Sequence, residues 1–118
     1  MSIYNHLIIY KTSYDLMLEI FKLTKDFSRE YKYSIGQDLK REVTLLIKRI
    51  FQANSSFDTR VEYIKKAREH TEIIRLYIRL LKDLQEVNVK KFARINVYIE
   101  SVSRQLAGWQ KKSCLKNN

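Results

Sequence analysis

Between residues 92 and 109 the apolar side chains recur every three or four positions without a miss: Phe92, Ile95, Ile99, Val102, Leu106, Trp109. On an α-helix that spacing gathers all six on one face. The same alternation runs through Ile35, Leu39, Val43, Leu46, Ile50 and Ala53. It runs again through Ile64, Ala67, Ile74, Ile78 and Leu81, with Thr71 a polar member of the row. A fourth stretch offers Tyr14, Met17, Phe21 and Thr24 as its core row. The chain has no proline and two glycines in 118 residues, so almost nothing interrupts long helices.

Polar breaks set the boundaries. The first helix is predicted over residues 3–29, with a fresh start at "TSYD", where Thr12 and Asp15 suit a capped turn. "REYKYS" breaks it. Ser34, three before Gln37, has capping-box spacing and opens a second helix to Ala53. After "ANSSFD", Thr59 and Glu62 repeat that spacing and open a third helix to Gln85. "EVN" is a tight turn with Asn88 as N-cap, and a fourth helix follows from Val89 to Gln110. Short connections make neighbours antiparallel. The expected fold is all-α: one up-down-up-down antiparallel four-helix bundle over residues 1–112, with 113–118 a disordered polar tail. Gly36 and Gly108 are expected at close helix packing.

A lone bundle needs one apolar stripe per helix, and two helices carry more. Leu16, Ile20, Leu23 and Phe27 form a second row on the first helix. Ile73, Leu76, Tyr77 and Leu80 form one on the third. Surplus rows of this kind imply a wider core or an interface between copies, so a homo-oligomer is expected.

The formal net charge is +10 with a pI near 9.8. That excess points to anionic partners: nucleic acid first, acidic protein second, anionic membrane third. Residues 1–30 hold four basic and four acidic side chains, whereas 87–118 hold seven basic and one acidic. Residues 31–57 are also basic, and 58–86 nearly balanced. The lone Cys114 excludes an intrachain disulfide and suits a reducing cytoplasm. The opening "MSIYNHLIIYK" lacks a basic leader, and no apolar run is long enough to span a bilayer.

The stretch "IIRLYIRLLK" joins these threads. Arg68, Arg75, Arg79 and Lys82 fall within about 60° of one another on a helical wheel, and Glu72 shares their stripe. One reading is pairing within the helix, Arg68 with Glu72 and Glu72 with Arg75, on a solvated face. The sharper reading has Arg75 and Arg79 facing an anion or the acidic groups of another chain. "REYKYSIG" mixes tyrosines with cations, a pattern that suits base stacking but more commonly packing anchors. Lys90, Lys91 and Arg94 cluster at one end of the fourth helix; Lys111, Lys112 and Lys116 cluster at the other, where the helix dipole favours cations.

Chemistry of catalysis is not predicted. His6 stands apart, and His70 has Glu69 and Glu72 on different sides and no second ligand one turn on. No serine or cysteine is placed near a histidine base, and no glycine-rich phosphate loop occurs. No cofactor, metal or small-molecule substrate is expected.

Five stretches in this order resemble a known family: "YDLMLEIFKLTKDF", "SIGQDLKREVTLLI", "IFQAN", "IRLYIRLLKDLQ" and "VSRQLAGWQKK". The chain resembles the four-helix proteins that include the accessory variability determinant (Avd) of diversity-generating retroelements. The same family includes proteins encoded in intervening sequences of bacterial 23S ribosomal RNA genes. The resemblance implies a bacterial or phage origin and a homopentameric barrel. It further implies binding to RNA or DNA and to a reverse transcriptase in support of mutagenic copying. It places Arg75, Arg79 and Arg104 at interacting positions; Arg68 and Lys82 are candidates by their place in the cationic stripe, and Lys40, Arg41, Lys90 and Arg94 rest on charge alone. Gly36 stands where some Avd proteins have alanine. Two further readings stay open: an intervening-sequence-type RNA-binding protein without a transcriptase, and a self-assembling scaffold whose charge balances an acidic protein.

Overall fold

The structure is a computed structural model that describes the backbone of residues 3–116 and the side chains of 8–115. Four long helices and one short one follow in order: α1 (Ile3–Thr24), α2 (Arg29–Lys32), α3 (Ile35–Ser55), α4 (Arg60–Asp83) and α5 (Val89–Lys116). The described residues hold no strand. The long helices form a four-helix bundle measuring 48 × 23 × 19 Å.

Cross-helix pairs fix the directions. Arg75 meets Glu100 and Arg68 meets Gln110, so numbers rise along α4 as they fall along α5. Glu19 with Arg94 and Thr12 with Gln105 make α1 and α5 antiparallel in the same way. Tyr10 against Phe51 and Phe21 under Lys40 do so for α1 and α3. Each long helix packs on two long neighbours, and α1 and α4 stand at opposite corners.

The core rows of three helices lie where the spacing put them. Leu39, Val43, Leu46, Ile50 and Ala53 of α3 are buried, as are Ile64, Ala67, Ile74, Ile78 and Leu81 of α4. Ile95, Ile99, Val102, Leu106 and Trp109 are buried on α5. Thr71 fits the apolar row because its hydroxyl donates to the Ala67 carbonyl at 2.9 Å. On α1 the two rows exchange roles. The row expected as surplus, Leu16, Ile20 and Leu23 with Phe27 just past the end of the helix, forms the core, while Tyr14 and Phe21 are exposed and Met17 half-buried. Thr24 alone of the expected row is buried.

Helix ends depart from expectation in instructive ways. α1 runs unbroken through "TSYD": Thr12 donates back to the Ile8 carbonyl and Asp15 pairs with Lys11. It stops at Thr24, and "REYKYS" contains the single turn of α2 rather than a break. That turn pre-empts the first capping box, because the Ser34 hydroxyl donates to the Glu30 carbonyl at 2.7 Å and not toward α3. Thr59 likewise makes no side-chain cap. Asn88 does cap α5, accepting from the Lys91 amide at 2.8 Å. α5 then continues past Gln110 to Lys116, so 113–116, expected in the tail, are helical and Ser113 is buried. Residues 117 and 118 lie outside the described residues.

Candidate nucleic-acid and partner interface

The cationic seam of α4 turns toward α5. Arg75 is clamped there: its Nη1 donates to Glu72 at 2.6 and 2.9 Å, its Nη2 to both oxygens of Glu100 at 2.8 Å. Glu72 lies one turn back on α4, as the spacing predicts, but Glu100 comes from the neighbouring helix. Arg68 passes over Glu72 and donates to Gln110 of α5 at 2.7 Å. Arg79 meets Asp83 one turn on, at 3.2 Å, and is two-thirds exposed. Lys82 covers the Phe92 ring, its ammonium 4.8 Å from the centroid. Arg104 is exposed and has no hydrogen bond or ion pair among the described residues. Together, Lys82, Val89, Phe92, Ala93, Asn96, Val97, Glu100 and Arg104 line a shallow groove of about 570 Å³.

The other expected cations lie elsewhere. Arg94 crosses to Glu19 of α1 at 2.9 Å, and the carboxylate raises the arginine further above its ordinary range, first through that hydrogen bond and then through charge. Lys90 lines the α1–α5 groove beside this pair. Lys40 sits 5.5 Å above Phe21 in the α1–α3 groove, and Arg41 pairs with Asp38 at 3.3 Å on α3 itself. Of the expected cations, Lys82 and Arg104 line the α4–α5 groove, Arg75 and Arg68 reach across to Glu100 and Gln110 of α5, and Arg79 pairs within α4; Lys40, Arg41, Lys90 and Arg94 are spread over other faces.

Two apolar surfaces remain open to solvent. On α4 Ile73, Leu76 and Leu80, continued by Leu84 just past the helix, face outward, Leu76 the most exposed at 64%. On α1 Tyr14, Leu18 and Phe21 do the same at the opposite corner. Phe51 of α3 extends the α1 surface and tilts against Tyr10 at 4.8 Å. Burial raises the Tyr10 hydroxyl above its ordinary value, and Asn54 partly offsets this.

Sequence reasoning overlooked Glu100 and the partner of His70. The His70 Nδ1 lies 3.0 Å from Glu42 Oε1 on α3, and both side chains are largely buried. Only the pairing of helices reveals either contact. Among the described residues no three His, Cys, Asp or Glu side chains gather to hold a metal ion. No described helix is long and apolar enough to cross a membrane.

These features define an antiparallel four-helix bundle with a strong basic excess and open apolar rows. The family model for bAvd-like proteins matches residues 7–113, and the chain belongs to that family. No curated protein matches it. Among solved structures it is similar to a protein of unknown function from the S23 ribosomal protein family of Bacteroides thetaiotaomicron. There the TM-score is 0.83 at 16% identity, covering 91% of this chain and 98% of that one, a likeness of fold.

Proposed function

We propose that the chain is a non-catalytic accessory protein of a diversity-generating retroelement, binding nucleic acid and a reverse transcriptase to support mutagenic copying. Membership in the bAvd-like family carries this reading. The charge supports it: the net excess is +10, and Arg104, Lys90, Lys111 and Lys112 have no carboxylate partner among the described residues. Exposed cations without internal partners are free to displace counterions from phosphate. The cations of α4 and α5 succeed one another along the two helices, and the groove that Lys82 and Arg104 line is shallow, an arrangement suited to an extended polyanion and to sequence-tolerant contacts.

The functional unit in this reading is a homopentameric ring in the cytoplasm. Apolar rows at opposite corners support it, because the α4 row of one copy can cover the α1 row of the next. Light scattering then gives five times the 14.2 kDa chain mass. The binding test is filter retention of labelled RNA across a salt series, with affinity falling about 0.7–0.9 log unit per log salt for each phosphate neutralised. Co-purification with a retroelement reverse transcriptase separates the accessory role from the alternatives. Retention of RNA with no transcriptase captured favours the intervening-sequence type; loss of both favours a protein-binding scaffold.

A further inference from the structure

Glu100 and Arg104 stand one turn apart on α5 and line the same groove. A glutamate four residues before an arginine is the favoured order for a helix-surface ion pair. The pair does not form here. Both Glu100 oxygens accept from Arg75 Nη2 at 2.8 Å, while Arg104 is exposed without a partner among the described residues. Arg75 in turn is the less exposed of the two arginines, a third open, and its other nitrogen is committed to Glu72. The arginine that looks best placed for an anion is therefore occupied, and the one beside its acceptor is not.

The geometry points to a division of roles within the nucleic-acid reading above: Arg104 is the cation that contacts phosphate in the α4–α5 groove, and Arg75 is a positioning residue. By holding Glu100, Arg75 keeps Arg104 free. The charges agree. With Lys82, which lines the same groove, Arg75 and Arg104 outweigh Glu72 and Glu100 by one charge in the folded protein. Without Arg75 that surplus is lost, and Glu100 is released toward Arg104. Loss of Arg75 thus closes an anion site that Arg75 itself does not touch.

The test uses the full chain and fluorescein-labelled single-stranded poly(U), with circular dichroism to confirm that each variant folds. Arg104→Ala is expected to weaken binding about tenfold and to lower the salt slope by about 0.7. Arg75→Met keeps the packed stem without the charge and is expected to weaken binding about threefold, the effect of one charge at roughly 6 Å in water. The double variant Arg75→Met, Glu100→Gln is expected to bind within about twofold of the unaltered protein, since the competing carboxylate is gone. A double variant as weak as Arg75→Met overturns the proposal, because Arg75 then touches the RNA itself. So does an Arg104→Ala protein that binds normally. Arg75→Lys, which cannot span both carboxylates, replaces the methionine variant if that one does not fold. If the unaltered protein ignores poly(U) at low salt, the nucleic-acid reading falls, and NMR of the Arg104 Nε–H group decides the division of roles separately. Its signal is expected to move in Arg75→Met and return in the double variant; a signal unmoved by Arg75→Met overturns the idea.

Discussion

Gln85 holds a left-handed backbone, φ 62°, at the end of α4. Two hydrogen bonds close the turn around it: the Glu86 amide to the Leu81 carbonyl and the Gln85 amide to the Lys82 carbonyl, both 2.9 Å. This is the Schellman arrangement, whose left-handed position favours glycine. Gln85→Gly is expected to stabilise the protein by about 0.5–1 kcal/mol in urea melts, since a side chain at positive φ carries a steric cost. Gly108 presents the reverse case. Expected at a close packing contact, it has nothing within 4 Å of where a Cβ would stand, and it lies inside α5. Gly108→Ala is expected to raise stability by a similar 0.5–1 kcal/mol, roughly, read as a higher Tm. Gly36 does sit tight: a Cβ there would stand 3.0 Å from the Tyr31 carbonyl oxygen. The Glu42–His70 contact lies mostly out of water between α3 and α4. Glu42→Ala leaves the ring nitrogen without its partner and is expected to cost about 1–2 kcal/mol in the same melts.

At the scale of elements, helix starts divide by where their side chains point. Asn88 reaches the third amide of α5, so Asn88→Ala is expected to cost about 1 kcal/mol. Ser34→Ala and Thr59→Ala are expected to cost under about 0.5 kcal/mol, because neither makes a cap. Thermal melts of the three variants side by side check the contrast. Spacing alone suited all three positions. It could not reveal that the turn of α2 would draw the Ser34 hydroxyl back to Glu30. The core of α3, α4 and α5 was legible because each has one row that runs the length of the helix; the second row of α4 is shorter. α1 has two of equal length, and periodicity does not rank them. What decides is chemistry: Leu16, Ile20 and Leu23 are purely aliphatic, whereas Tyr14 and Met17 tolerate a half-exposed edge. In the groove, the Arg75–Glu72 pair was legible as a spacing within one helix. The hold of Glu100 on Arg75 depends on the register of α4 against α5, which no single-helix pattern contains.

For the whole molecule, the α4 row is where assembly is tested. Leu76→Asp places a charge at the most exposed of its leucines, outside the buried core. It is expected to lower the mass seen by light scattering to that of a single chain, with the helical signal and Tm within a few degrees of the parent. An unchanged mass would place the contact elsewhere. The open rows on α1 and α4 differ in composition, one aromatic and one aliphatic, and they face away from each other. Unlike faces cannot satisfy one another about a two-fold axis; each union leaves a fresh row exposed at either end. Growth by such a contact stops only when the turn per step brings the last subunit back to the first. In the proposed ring, a slight change of tilt between copies would trade a closed particle for an open-ended filament.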